Sequence, residues 1–484
     1  MRKRFEQQLS LGRLLIEDTI IPTAKRSGAL PGLCAALKEI YTNKQYNEKI
    51  FSILENKILP NHNHTGRKGM DLWQIFVLSQ VRLCQNISYD ELHHMANYDS
   101  LMRQIMGIET VHGYKKETIG YQRIIDNVGL LDNETVKKLN EIIVEFGHGV
   151  FKKKETAALR LKTDSFVVES NVHFPTDYNL LWDSARKSID MVTKLQKRHN
   201  LPGWRKLENW RNDLKNKMRA LGRASASGGK GKKERLTSAA KKYLTKAKAL
   251  YNKLEISKKT YPQSDPVDAI IIMELDRFMQ LLYKHIDLLE RRIIKGEEIP
   301  HNEKMFSIFE QYTEWVTKGK LRPNVELGKK TTITTDHFNL IVDYQVMEHQ
   351  ADSEIVPELS EKIFSKYTVS SWSFDKGFWH KNNKLLLSKN VETLVLPKKG
   401  KCNKTEAEEE HRALFKKLRH GHSAVESNIN ELEHRGLDRC PDRGYDNFKR
   451  YVGLAVCAYN LRKIGEHLIN IQRKRVSHWK KRAA

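Results

Sequence analysis

The chain has 484 residues, 39% hydrophobic and 30% charged, which excludes a single small domain and allows a packed core. Its 85 Lys and Arg outnumber 59 Asp and Glu, giving a formal net charge of +26. A cationic surplus of this size indicates a polyanionic partner. It favours nucleic acid over a membrane surface, because no amphipathic anchor is evident.

Cysteine usage and apolar segments indicate the compartment. The five cysteines are widely spaced and form no CxxC pair, which is typical of a reducing cytoplasm without a disulfide framework. The first residues lead into no apolar signal region, and no run of about 18 apolar residues is present. We therefore expect a cytoplasmic protein.

The N-terminal region contains three consecutive helix-start signals. Asp71 is placed to cap a first helix, Ser88 and Glu91 form a capping box for a second, and Asp99 can cap a third. Three short helices over residues 71–107 are consistent with a helix-turn-helix-like DNA-binding unit. Many small helical bundles share this pattern, so it does not by itself establish DNA binding.

An alternating, β-branched stretch at residues 157–172 predicts a strand, and Asp164 lies inside it. A carboxylate in the middle of a strand is unfavourable by propensity and needs a partner if it faces the core. Asp164 is therefore a functional candidate. An edge-strand aspartate that faces water is the alternative.

Residues 178–299 predict long basic helices separated by a Gly/Ser/Lys-rich loop that begins at Gly222. Near the start of this region, aromatic and cationic residues alternate in a way that suits contact with a DNA backbone. The residues expected to make this contact are Trp204, Arg205, Lys206 and Arg211. A solvated helical hairpin whose lysines cover apolar surface is equally compatible.

Strand patterns return in the second half of the chain. Residues 331–346 predict a hairpin with its turn at 336–339, and residues 367–374 predict a strand that ends at Asp375. Strand-end carboxylates in α/β sheets commonly line the ligand crevice. Asp375 is therefore a second candidate.

A third carboxylate, Glu426, lies in the stretch 419–440. Ser423 is predicted to cap a helix that carries Glu426 in its first turn, with Arg419 and His422 just before it. A carboxylate flanked by cations suits a metal site that faces a phosphate backbone. A simple capping box is the alternative.

Three such carboxylates can bring two Mg²⁺ ions together without an all-protein cage. Two ions in that arrangement activate a hydroxyl nucleophile and stabilise the leaving oxygen of a phosphodiester. The order along the chain is a strand with Asp164, further strands, a strand ending at Asp375, and a helix with Glu426.

With these residues in this order, the sequence resembles bacterial insertion-sequence transposases of the DDE type, and in particular the ISNCY-type group. Residues 66–107 also resemble the leading domain of such enzymes, whereas the basic helical segment is similar only in character. The stretches that carry the resemblance most clearly are 162–177, 374–379, 419–440 and 444–461.

The resemblance implies an α/β fold: an RNase H-like catalytic core with a mixed sheet flanked by helices. It implies that Asp164, Asp375 and Glu426 bind two Mg²⁺ ions, for which Mn²⁺ can substitute. The implied partner is double-stranded DNA, both the terminal inverted repeats and the target, bound by a homodimer or larger assembly at the bacterial nucleoid. Further expected DNA contacts are Lys376, Arg419, His422 and Arg435.

The domain organisation follows from the same reading. Residues 1–150 form a helical DNA-binding region, and 151–177 together with 300–470 form the catalytic domain. The long interval between the two aspartates indicates that 178–299 is a basic helical insertion. Residues 471–484 are expected to be a basic arm without fixed structure.

One departure from related transposases matters. Their accessory Tyr, Arg and Lys positions are held here by Arg419, His422 and Glu433, so the phosphate-binding roles of that pattern do not transfer.

Two alternatives remain: a non-catalytic DNA-binding regulator derived from a transposase, and a metal-dependent nuclease without strand transfer. The acidic triad argues against the first, and only the resemblance argues against the second.

Overall fold

The computed structural model describes residues 4, 5, 7, 15–24, 28–60, 69–108, 118–154, 157–261, 265–317 and 324–483. The chain forms two compact units: Met1–Asn171 with Val316–Ala484 (unit 1), and Val172–Trp315 (unit 2). Within the described ranges, none of the helices combines the length and the hydropathy needed to cross a membrane.

Unit 1 begins with seven helices in the described residues. Their bounds are α1 (Leu30–Thr42), α2 (Lys44–Ile58), α3 (Leu72–Gln85), α4 (Tyr89–Tyr98), α5 (Ser100–Ile105), α6 (Tyr121–Val128) and α7 (Asn133–Val150). The predicted capping box of Ser88 with Glu91 starts α4, and Asp99 accepts a hydrogen bond from the Met102 amide at the start of α5. Helix α3 is buried along residues 72–84, so it lies inside the helical cluster. Of the residues that resemble a leading domain, 66–68 lie outside the described ranges.

Unit 2 follows the first strand and is helical. Its helices are α8 (Asp177–His199), α9 (Leu207–Ala226), α10 (Lys232–Lys258) and α11 (Pro266–Leu289). Arg198 and His199, at the end of α8, bond the buried Asp268 near the start of α11 at 2.6 and 2.7 Å. The loop expected from Gly222 is shorter than predicted: α9 runs through Ala226, because Ala and Arg favour the helix there.

The sheet of unit 1 is mixed. Its strands are β1 (Leu159–Ser170), β2 (Glu314–Thr317), β3 (Val325–Thr335), β4 (Ile341–Val346), β5 (Val369–Phe374), β6 (Thr393–Val395) and β7 (Arg439–Cys440). The order is β2-β3-β1-β5-β6, with β4 on β3 and β7 on β1. Strand β1 is antiparallel to β3 and parallel to β5 and β7. The α/β class predicted from the sequence is therefore confirmed, as is the turn between β3 and β4.

The remaining helices follow the sheet strands. They are α12 (Asp352–Phe364), α13 (Lys381–Leu387), α14 (Lys404–His411), α15 (Ala413–Leu432) and α16 (Tyr445–Ala483). The predicted arm at 471–484 is wrong over its described part, because α16 continues to Ala483. No Gly or Pro interrupts the chain after Gly465, and Arg473 donates to the Thr23 carbonyl.

The predicted helix start at Ser423 is also wrong. Ser423 lies in the middle of α15, and its hydroxyl donates to the His420 carbonyl at 2.9 Å, a bond typical of serine inside a helix. Phe415, Val425 and Ile429 are buried along one face, and this apolar face continues through the supposed start. The Ser-x-x-Glu spacing resembles a capping box here without being one.

Candidate active site

Strand register places two of the predicted carboxylates side by side. Thr163 of β1 is paired with Phe374 of the parallel strand β5. The next residue in each chain segment is an aspartate, Asp164 and Asp375 respectively. Adjacent strands lie about 4.8 Å apart, so the pairing alone brings these carboxylates to the same place.

A rigid apolar layer supports this pair. The Trp372 and Phe374 rings stack with centroids 4.9 Å apart. The Trp372 indole donates to the Thr163 hydroxyl at 2.8 Å, and that hydroxyl lies 2.7 Å from the Thr334 hydroxyl. All four side chains are buried, so the strand positions before Asp164 and Asp375 are fixed by packing and by satisfied hydrogen bonds.

A fourth carboxylate, Asp352 at the start of α12, joins the group. Its Oδ1 accepts from the Ser165 hydroxyl at 2.7 Å, and its Oδ2 lies 3.1 Å from Lys330 Nζ. A Cβ at Gly377 would lie 2.8 Å from the same Oδ2. Asp352 therefore contacts the residue after Asp164 and the turn after Asp375. In the sequence it looks like an ordinary first-turn acid, which favours any helix, so nothing distinguished it.

Three of these carboxylates affect the ionisation of the fourth, Asp164. Burial raises the pKa of Asp164 to about 7, and the negative charges of Asp375, Asp352 and Glu426 add to the increase. The Ser165 amide, which donates to Asp164 Oδ1 at 2.7 Å, acts in the opposite direction. Glu426 is thus close enough to Asp164 to affect its ionisation, although the two are far apart in sequence.

His422 links the helix of Glu426 to the strand of Asp375. Its Nδ1 lies 3.0 Å from the Ser373 hydroxyl, and His422 precedes Glu426 by about one helical turn. Burial lowers the pKa of His422 to about 4, Lys162 lowers it further, and Asp375 opposes both. A neutral, half-buried imidazole is not the exposed cation that the sequence predicted for phosphate contact.

Helix α16 holds α15 from the other side. The Tyr459 hydroxyl donates to Asn428 Oδ1 at 2.8 Å in a buried contact. Glu431 pairs with Arg462 and with Lys463, the latter at 2.8 Å. The position of Glu426 is therefore set by contacts to β5 and to α16.

The other predicted DNA contacts of unit 1 differ in environment. Lys376 is exposed directly after Asp375, and Arg419 is exposed 3.7 Å from Glu410. Arg435 instead donates to the Cys84 carbonyl at the end of α3, at 2.6 Å. That guanidinium therefore has an internal role, and its contact with DNA stays a prediction.

Within unit 2, the structure separates the predicted group. Trp204 is 1% exposed and its indole donates to Ser257 at 2.9 Å, so its ring cannot stack on a base or sugar. Arg211 is paired with Asp190 at 2.5 Å. The burial of Trp204 therefore corrects the sequence prediction, whereas a DNA contact by the paired Arg211 stays a prediction. The exposed members of the group are Arg205 and Lys206.

The donor chemistry of the site suits a hard divalent cation, since carboxylate oxygens are the preferred ligands of Mg²⁺. The mutual repulsion at Asp164 is what such a cation would relieve. In the part of the chain that the structure describes, however, no group of three or more Asp, Glu, His or Cys side chains stands close enough to hold a metal ion. Metal binding would therefore have to draw these carboxylates together.

Comparison with known proteins gives one result at the level of a family. The chain has no significant match among curated proteins or solved structures. Residues 298–461 match the family model described as the transposase DDE domain, a range that includes Asp375 and Glu426 but not Asp164. This match supports a DDE transposase family for the protein.

Proposed function

We propose that the protein is a metal-dependent DNA transposase of the ISNCY-type group. It binds the terminal inverted repeats of its insertion sequence, hydrolyses a phosphodiester at each end, and joins the freed 3′-hydroxyl to target DNA. The observation that carries the proposal is the β1–β5 register, which sets Asp164 beside Asp375 in a chain with a transposase DDE domain.

The residue roles follow from the site. Asp164, Asp375 and Glu426 are the ligands for two Mg²⁺ ions, with Mn²⁺ able to substitute. When bound, the ions supply an activated oxygen nucleophile and stabilise the leaving oxygen. The chain itself orients the ligands: the buried layer under β5 fixes Asp375, and the bond between His422 and Ser373 fixes the helix of Glu426. Lys376 and Arg419 are exposed and available to phosphates.

The proposal extends to the whole chain. Residues 151–177 and 300–470 form an RNase H-like catalytic core, interrupted by a basic helical insertion at 178–299. The helices over 71–107 form the leading DNA-binding region. Synapsis of two element ends requires at least a homodimer on DNA, in the cytoplasm at the bacterial nucleoid. The +26 charge and the described helices of these regions support this arrangement.

The test incubates the protein and Mg²⁺ with labelled duplex DNA that carries the inverted repeats flanking the coding region. We expect nicking at the repeat ends, followed by joining to target DNA. Asp375→Asn should reduce cleavage by at least about 100-fold, since a lost ligand removes cation-dependent stabilisation of the transition state. Asp18→Asn, which alters an exposed aspartate of the N-terminal region, is the matched control and should cleave normally.

The same assay separates the alternatives. Cleavage without joining would favour a nuclease. Tight binding without cleavage by the wild-type protein, in Mg²⁺ or Mn²⁺, would contradict catalysis and favour a DNA-binding regulator.

A further inference from the structure

The hairpin of α9 and α10 in unit 2 carries an unusual concentration of charge at one end. Residues 215–242 contain ten Lys and Arg but a single acid, Glu234. These residues are the second half of α9, the loop 227–231 and the first half of α10, and they are called the hairpin tip below.

Away from the tip, several cations of this hairpin have acidic partners. Lys246 lies 3.0 Å from Asp213, Lys248 lies 2.8 Å from Glu290, and Lys258 lies 2.8 Å from Asp276. At the tip, seven exposed cations have neither a carboxylate within 4.0 Å nor a side-chain hydrogen bond among the described residues. They are Arg219, Arg223, Lys230, Lys232, Lys233, Lys241 and Lys242. Their charges are therefore not neutralised within the described chain.

The tip is a folded surface that combines both helices. Lys217 of α9 and Lys242 of α10 line one groove. The Arg235 guanidinium donates to the Lys230 and Gly228 carbonyls at 2.9 and 2.8 Å, which closes the loop over the start of α10. Most of the cations are consequently carried by folded helices rather than by a free loop.

Helix stability does not explain this arrangement. Lys232 and Lys233 occupy the first turn of α10, where the helix dipole disfavours positive charge. The N-cap, Gly231, has no side chain to bond the first amides of α10. Uncapped amides together with unpaired cations form an anion-binding surface.

We propose that the hairpin tip binds the sugar–phosphate backbone of duplex DNA without reading bases. Lys230, Lys232 and Lys233 follow one another at the loop and the first turn of α10, so together they can meet neighbouring phosphates of one strand. No aromatic residue lies in 215–242, so base stacking is excluded there. The inference rests on the proposed function, because it names a contact surface for the same DNA partner. It replaces Trp204 as the DNA-facing part of unit 2.

The test uses the full chain and two matched double variants. Lys232→Gln with Lys233→Gln removes two charges from the tip. Lys194→Gln with Lys197→Gln removes two exposed charges from α8 that form no ion pair within the described ranges. Binding is measured over a range of salt concentrations, on a duplex with the terminal repeat and on an unrelated duplex of equal length. Circular dichroism checks that every variant is folded.

We expect the slope of log affinity against log salt to fall in magnitude by about 2 in the tip variant, on both duplexes, and to stay unchanged in the α8 variant. Equal changes in the two variants, no change in the tip variant, or a loss confined to the repeat duplex would each overturn the proposal. If the wild-type protein binds and cleaves DNA and the tip variant does so equally well, the proposed role of the hairpin tip fails and the proposed function stands. If the wild-type protein neither binds nor cleaves, the proposed function fails with it.

Discussion

At the residue scale, the position of Asp352 explains why a glycine stands at position 377. Its carboxylate is held between Ser165 and Lys330, and it leaves no room for a Cβ at Gly377. Gly377 is therefore required by a close approach rather than by its backbone angles. Through these contacts, Asp352 connects the segments that carry Asp164 and Asp375.

Asp352→Asn should raise the Mg²⁺ concentration for half-maximal cleavage by roughly tenfold. The variant keeps the shape of the side chain but removes one negative charge near the proposed cation site, which weakens attraction of the cation. The measurement is a Mg²⁺ titration of cleavage. Glu361→Gln removes an exposed charge from the same helix and should leave the titration unchanged. Identical titrations for both variants would show that Asp352 has no electrostatic role.

At the element scale, α15 is positioned by a strand on one side and a helix on the other. The bond between His422 and Ser373 ties it to β5, and the bond between Asn428 and Tyr459 ties it to α16. The helix is thus fixed around Glu426, which itself is exposed. A shift of about 1 Å in a reacting group can cost about 100-fold in rate.

His422→Ala should reduce cleavage by roughly 10- to 100-fold while DNA affinity and its salt dependence stay unchanged. The reason is that the neutral imidazole orients α15 and carries no charge toward phosphate. Lys376→Gln, at an exposed cation, should instead weaken binding and lower the salt slope by about 1. Reduced affinity and slope in His422→Ala would support the phosphate contact inferred from sequence.

At the scale of the whole molecule, a buried histidine of unit 2 makes the free energy of unfolding depend on pH. The core of unit 2 encloses His285, which is fully buried. Neither ring nitrogen of His285 has a hydrogen-bond partner in the described structure. Burial lowers the pKa of His285 from 6.5 to about 4, and Lys284 lowers it further.

The protein should therefore lose stability in acid. Between about pH 6.5 and pH 4 the unfolded state binds a proton on His285 that the folded state does not, so the free energy of unfolding falls as pH falls. The full contribution is present above pH 6.5, and the loss reaches about 3 kcal/mol near pH 4. Thermal unfolding at pH 7 and pH 5 measures it. His285→Leu should remove this contribution to the pH dependence, whereas the exposed-site variant His301→Gln should leave it in place.

The sequence by itself determined what depends on neighbouring residues. The Ser88–Glu91 capping box, the β3–β4 turn, and the strand positions of Asp164 and Asp375 are local patterns, and the structure has each of them. The α/β class was within reach for the same reason, and the resemblance to DDE transposases agrees with the family model that matches residues 298–461.

Only the tertiary structure decided which residues meet. The bond between Ser165 and Asp352 spans 187 positions, and the burial of Trp204 depends on packing against α10. The prediction that a helix starts at Ser423 was wrong because the Ser-x-x-Glu spacing also occurs inside helices. The length of α15 is determined instead by its buried apolar face. Net charge predicted a polyanionic partner, but which cations are free to contact one depends on ion pairs that form only on folding.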